Sequence, residues 1–347
     1  MSPRRAPTPS ASELNVTPLP AAAVARFADD VRRVFARAHA VAAVERGGRV
    51  GVAVSGGPDS VGLLLLAAAA LPGEVVAATV DHRLRPAGAD EAATVAALCE
   101  RLGVPHATLV PAAPIAGSSL QRRAREARYA VLTDWAARER VDALLTAHHA
   151  DDQAETLVMR LNRASGLAGL SAIRAARRER GTLLLRPLLA WRRAELRALV
   201  EAAGAPFVDD PSNADPRHDR TRVRAALAAT PALDPAALAA SAGYLAEAEE
   251  VIARLAEQLW DEHWHGPDRP LAIGDEPREL RRRLLRRALH ATRARHAIVR
   301  PAFTDSSNIE PLLDALEARC GATHAGVKVE VHEEGWFFRK APPRRSL

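Results

Sequence analysis

The stretch Val52-Ala53-Val54-Ser55-Gly56-Gly57-Pro58-Asp59-Ser60-Val61 carries residue types suited to holding a phosphate. A β-branched run breaks at Ser55-Gly56-Gly57, and Pro58 suits a first helical position, where its missing N–H costs nothing. Asp59, Ser60 and the apolar run 61–66 then read as a helix. A strand, a glycine turn and a helix N-terminus make an anion cradle. The backbone comes close, successive N–H groups point inward, and the helix dipole favours negative charge. Two adjacent glycines alone would also fit an ordinary strand-to-helix turn; the full Ser-Gly-Gly-x-Asp-Ser string selects the phosphate reading. It contains neither Gly-x-x-x-x-Gly-Lys-Ser/Thr nor Gly-x-Gly-x-x-Gly, so no lysine of the loop reaches a γ-phosphate.

A second stretch, Thr146-Ala147-His148-His149-Ala150-Asp151-Asp152-Gln153-Ala154-Glu155-Thr156, follows an apolar strand and opens a helix. Asp152, Glu155 and Thr156 are spaced i, i+3, i+4 and share one helix face. Two carboxylates there could hold a cationic amine or a metal, or accept a proton from an attacking amine. The plainer alternative is acids favouring a helix N-terminus, with the two histidines capping a strand.

These residues need elements to position them. From residue 49 the pattern alternates strand and helix, the rhythm of a parallel sheet covered on both faces. Strands are predicted at 49–54, 74–80, 106–110, 143–146 and 182–186. Helices are predicted at 21–46, 59–71, 89–102, 119–140, 151–162 and 191–203. In such α/β folds ligands bind beyond the carboxyl ends of the strands, so the loops carrying Ser55, Asp81 and His148 should converge. Residues 1–20, rich in Pro, Ser and Thr, read as a disordered tail; 21–218 read as the catalytic domain. A smaller, mainly helical domain, 219–347, follows, with a basic helix at 279–297 and a terminal hairpin built from 323–331 and 336–339. Trp336, Phe337 and Phe338 read as core in preference to a base-stacking platform. Arg278, Arg281, Arg282, Arg283, Arg286 and Arg287 nearly encircle their helix and fit a solvated surface and a phosphate contact equally.

The glycine loop resembles that of the PP-loop ATPase superfamily, which splits ATP into AMP and pyrophosphate. Further motifs narrow the resemblance: Val80-Asp81-His82; Leu120-Gln-Arg-Arg-Ala-Arg125-Glu-Ala-Arg128-Tyr129; His148-His149-x-x-Asp152-Gln-x-Glu155-Thr156; and Asp209-Asp210-Pro-Ser212-Asn213. Together they are similar to the tRNA(Ile)-lysidine synthetase family over about residues 50–224. That resemblance implies a Rossmann-like, adenine nucleotide alpha-hydrolase-like PP-loop domain and a tRNA-binding C-terminal domain. It implies ATP and Mg2+ as cofactors, L-lysine as second substrate, and a CAU-anticodon tRNA(Ile) whose wobble cytidine is adenylated and then attacked by lysine. Carried over by position, Ser55, Gly56, Gly57, Pro58, Asp59 and Ser60 hold the phosphates, with Asp59 on the metal. Asp81, His82 and His149 serve the nucleotide, Arg128 binds lysine or the intermediate, and Asp152 and Glu155 bind the amine. Two positions depart from the family. Ala164 replaces a glycine, suggesting that this backbone position needs no positive φ, and Thr221 replaces an asparagine.

Composition sets outer limits. The chain has 347 residues, 48% hydrophobic, enough for two cores, with net charge +6 and a pI near 10.2 that suggest a polyanionic partner. The bias is almost wholly arginine, only Lys328 and Lys340 being lysines, so part of it reflects composition at large. Cys99 and Cys320 form no Cys-x-x-Cys pair, which argues against a disulfide framework, structural zinc and a paired-cysteine tRNA thiolase. A synthetase using an ammonia-donating partner lacks support, because no N-terminal glutaminase cysteine is present. An RNA-binding protein with a dead nucleotide site conflicts with the intact loop. No apolar run reaches membrane-spanning length, and no secretory signal opens the chain, so a cytoplasmic enzyme is expected, with a homodimer left open.

Overall fold

The computed structural model describes residues 10–41, 48–83, 88–113, 120–209, 219–266 and 268–342. In chain order these form α1 (Ala21–Val41), β1 (Arg49–Ala53), α2 (Pro58–Ala70), β2 (Val75–Val80), α3 (Gly88–Arg101), β3 (His106–Leu109) and α4 (Leu120–Arg138). There follow β4 (Val141–Leu145), α5 (Ala150–Leu161), the single turn α6 (Leu167–Leu170), β5 (Ala176–Glu179), β6 (Thr182–Leu185), α7 (Arg193–Ala202), α8 (Asp219–Ala228) and α9 (Pro235–His263). The chain ends with α10 (Arg278–Arg295), α11 (Glu310–Glu317), β7 (Ala322–His324), β8 (Val327–His332) and β9 (Gly335–Lys340). Two compact units result, Met1–Ala246 and Glu247–Leu347. The division lies within α9 and not at the 218/219 boundary expected, because α8 packs on α5.

The first unit holds a six-stranded sheet in the order β3-β2-β1-β4-β6-β5, parallel except for the antiparallel edge strand β5. Strand residues alternate between two cores, as a pleat requires. Val50, Val52, Ala143, Leu145, Leu183 and Leu185 face the core shared with α1, α2 and α7. Val76, Ala78, Leu144 and Leu184 face Tyr129, Leu132 and Trp135 of α4. With layers on both sides, the central strands read as unbroken apolar runs. Helix α2 is apolar all round because α1, α7 and the sheet enclose it; Leu63, Leu64, Leu65 and Leu66 are each at most 3% exposed. Burying one such leucine contributes about 1.5–3 kcal/mol, so the helix carrying the glycine loop is firmly anchored. Trp191 fixes the start of α7 by donating its indole N–H to Asp30 Oδ2 at 2.8 Å. β1 lies between β2 and β4, so strand order reverses there, and the crevice at the carboxyl ends of β1 and β4 is the ligand position of the fold.

Two expectations, the loose N-terminal tail and the solvated basic helix, are corrected. Residues 10–20 are not a loose tail: Leu14, Val16 and Leu19 pack on the first core, and the Thr17 N–H donates to Ala203 O at 2.9 Å. Residues 42–46 of the first expected helix lie outside the described residues. The terminal hairpin forms as expected from β8 and β9, with β7 added as a third antiparallel strand, and Trp336 and Phe338 sit in the second unit's core as predicted. Its basic helix α10 is tied down within its own unit. Arg278 and Arg282 pair with Glu310 of α11 at 3.0 and 2.5 Å, Arg283 pairs with Glu249 at 2.6 Å, and Arg287 lies over the Trp260 ring. None of these four arginines is a bare solvated charge. No described helix is long and apolar enough to cross a membrane.

Candidate active site

The glycine loop connects β1 to α2. Gly56 takes φ +86°, a conformation L side chains rarely adopt, and Gly57 is the N-cap, with Pro58 in the first turn. Ser60 braces the loop: its Oγ accepts from the Ser55 N–H at 3.0 Å and donates to Gly57 O at 2.9 Å. The Ser55 hydroxyl lies 3.1 Å from the same Oγ, and the Val208 N–H ties Gly56 O at 2.9 Å. Asp59 Oδ1 is buried without any hydrogen-bond partner, an acceptor held ready at the mouth of an anion cradle. That is the donor chemistry a magnesium ion takes, one carboxylate beside phosphate oxygens and water.

The second stretch arrives beside it. His149 is the N-cap of α5, and its Nδ1 accepts from the Asp152 N–H at 3.3 Å while Asp152 Oδ2 accepts from the His149 N–H at 3.1 Å. The histidine is 1% exposed, and its Nε2 reaches Asp59 Oδ2 at 3.4 Å. The loops after β1 and β4 therefore meet, as the strand order requires.

Glu155 is the hub of the site. It is 1% exposed and takes Arg220 Nε and Arg224 Nε, each at 2.7 Å, and Arg193 Nη2 at 3.4 Å. Arg220 also reaches Asp152 Oδ1 at 2.9 Å. Burial pushes the Glu155 carboxyl up, but the hydrogen bonds from Arg224 and Arg220 outweigh it and hold it below the ordinary range. The acids are thus already paired with arginines. A cleft of about 510 Å³ opens on this cluster, lined by Asp151, Glu155, Arg192, Arg193, Arg224 and Asp234 among others.

At the end of β2, Asp81 Oδ1 accepts from the Arg83 N–H at 2.8 Å, and His82 Nδ1 is buried without a partner. Burial, and secondarily Arg128, lowers the His82 pKa. Arg128 of α4 lies 5.5 Å from the Tyr129 ring centroid. His148 bonds Thr146 Oγ1 through Nδ1 at 3.1 Å; burial first, then Arg186, Arg125, Arg220 and Arg128, takes its pKa well below the usual value. Cys99 is buried and its thiol is pushed up to about 12, so it is inert as a nucleophile.

Of the predicted residues, Asp59, His149, Asp152 and Glu155 form one connected cluster. Asp210, Ser212 and Asn213 lie outside the described residues; Asp209 pairs with Arg197 at 2.8 Å. Ala164 takes φ +48°, so the expectation that this position avoids positive φ is corrected, and alanine bears the strain a glycine would not. The sequence reading missed Arg193, Arg177 and Arg186. Arg192-Arg193 at the start of a helix, where the dipole disfavours cations, was the available signal.

The glycine loop lies at the switch point of a mostly parallel sheet, and the family model for the PP-loop domain matches residues 28–230, which makes this a PP-loop protein. Relatives narrow it further. The tRNA(Ile)-lysidine synthase of Novosphingobium aromaticivorans is 46% identical over 88% of this chain and 92% of its own length, and that of Zymomonas mobilis is 39% identical over 86% and 90%. The chain belongs to the tRNA(Ile)-lysidine synthase family. A U34-tRNA thiolase from Methanococcus maripaludis shares the fold, with TM-score 0.52 and 17% identity over 65% of this chain and 79% of that one.

Proposed function

We propose that this chain, as an ATP-dependent ligase forming a carbon–nitrogen bond, modifies the wobble cytidine of a CAU-anticodon tRNA(Ile). Cytidine O2 attacks the α-phosphorus of ATP, and pyrophosphate leaves into the glycine loop between Ser55 and Ser60. The ε-amine of free L-lysine then attacks C2, and AMP departs with the O2 oxygen, leaving lysidine. The observation that carries this reading is the junction of the two loops: Asp59, beside the cradle, lies 3.4 Å from His149, which caps the helix bearing Asp152 and Glu155.

Placement and charge stabilisation supply most of such chemistry. A magnesium ion, when bound, neutralises charge developing on the leaving diphosphate; Asp59 Oδ1 is the carboxylate oxygen free to hold it. His82, with its unpartnered Nδ1, and Asp81 flank the adenosine side. Arg128 binds the adenylated intermediate or lysine. The ε-ammonium, with an ordinary pKa near 10.4, must lose a proton before it attacks. Asp152 and Glu155 share the partly exposed Arg220, and the incoming ammonium displaces that guanidinium to reach them. The mixed acid and arginine lining of the adjacent cleft suits a zwitterionic amino acid. ATP and tRNA put the working compartment in the cytoplasm.

The test is pyrophosphate release from ATP by the purified chain. Release that depends on CAU-anticodon tRNA and survives omission of lysine supports adenylation first; release indifferent to tRNA refutes it.

A further inference from the structure

Four guanidiniums surround Tyr129. Arg125 and Arg177 lie 5.0 Å from its ring centroid and Arg128 lies at 5.5 Å, while the charge of buried Arg186 also acts on its hydroxyl. Tyr129 is 5% exposed and Arg186 only 3%. Among the described residues, the carboxylate salt-bridged to this set is Glu179, 2.7 Å from Arg177. Four positive charges against one negative leave a surplus of three. Arg186 Nη1 donates to Arg174 O at 2.5 Å, yet its Nε is buried with no partner, and so is Arg177 Nε. A buried donor without an acceptor costs about 1–3 kcal/mol, and packed like charges add to that cost. A fold retains such an arrangement where a ligand completes it.

We infer that Arg125, Arg177 and Arg186, with Arg128, form a phosphodiester-binding pocket that holds the substrate RNA backbone next to the reacting base. Guanidinium forks match phosphate oxygens in a paired geometry. The charge balance favours a polynucleotide. One amino acid carboxylate would cancel one of three surplus charges, whereas a strand brings one charge with every residue. The set also grades from exposed Arg125 on α4 to buried Arg186 beyond β6, which suits a backbone laid across the surface and pinned at its inner end. Arg186 follows β6, whose Leu185 O accepts from the Thr146 N–H at the end of β4 at 3.0 Å, so the patch adjoins the loop that carries His148 and leads into the Asp152/Glu155 helix. Base stacking on Tyr129 is not the purpose, since its ring is already occupied by cations.

The inference rests on the tRNA reading above, and the test separates the two. Binding of a CAU anticodon stem-loop is titrated against KCl for wild type, Arg125→Gln, Arg177→Gln and the charge-retaining Arg125→Lys, with lysine KM and ATP KM measured in parallel. Each lost contact should flatten the slope of log affinity against log salt by about 0.7, raise the RNA Kd roughly tenfold at low salt, and leave both KM values within about twofold. Arg125→Lys should keep the wild-type slope. An unchanged slope in both glutamine variants overturns the pocket, as does a rise in lysine KM with the slope intact, which would assign the anion to the amino acid. Wild-type protein that binds the RNA but makes no lysidine would refute the tRNA-modification reading alone, because the slopes are read from binding.

Discussion

Asp59 Oδ2 and His149 Nε2 lie 3.4 Å apart, although ninety positions of sequence separate the two residues. The His149 Nδ1 accepts from the Asp152 amide, and its Nε2 faces both Asp59 and the Arg193 guanidinium, whose Nε donates to it at 3.4 Å. The pair links the glycine loop to the acid-bearing helix, and Oδ1 of the same aspartate is buried without a hydrogen-bond partner. Asp59→Asn should therefore lower tRNA-dependent pyrophosphate release by about 100-fold or more while leaving stem-loop affinity at the wild-type value. Release within a few-fold of wild type would remove Asp59 from the chemistry.

Ser60 is the brace of the loop, taking the Ser55 amide and holding Gly57 O. Removing one such hydroxyl typically costs about 1 kcal/mol. Ser60→Ala should raise the ATP KM by roughly five- to tenfold with the lysine KM unchanged, read in the coupled pyrophosphate assay.

Glu155 pairs with three partly exposed arginines, and removing a buried carboxylate from such a cluster costs about 3 kcal/mol. Glu155→Ala should lower the melting temperature and impair lysine transfer. Arg224→Gln in the same chain should recover part of the lost stability, because it removes a guanidinium the missing acid leaves unpaired. Additive losses in that double-mutant cycle would show that the two side chains do not share one network.

His148 is kept neutral by burial and by neighbouring arginines, its pKa lying well below the ordinary 6.5. The unfolded chain takes up that proton as pH falls through about 6.5, while the folded chain resists. The unfolded state then binds more protons, and stability falls with pH. Stability measured by denaturant titration should decline from pH 7 to 5, and His148→Gln should flatten that decline. An identical pH profile in the variant would assign the decline to other groups.

The sheet, the glycine loop and the carboxylate helix were legible because each has a local cause: apolar runs, a glycine turn before Pro58, and acids at helical spacing. Strand β5 was not, since Ala176-Arg-Arg-Glu179 has no strand-like pattern and is held as an edge only by pairing with β6. The pairing of Glu155 with Arg193, Arg220 and Arg224 was also invisible, because it joins three helices whose approach no spacing announces. Arginines dispersed through an arginine-rich chain carry no label; packing alone distinguishes Arg186, buried and half-satisfied, from Arg222, exposed and paired with Asp219.

The most direct measurement is nucleoside mass spectrometry of a CAU-anticodon tRNA incubated with the purified chain, ATP, magnesium and L-lysine. The wobble cytidine should be converted to lysidine, the conversion should require all three small components, and Asp59→Asn should abolish it. A wobble cytidine left unmodified by folded, ATP-binding protein would contradict the proposed reaction.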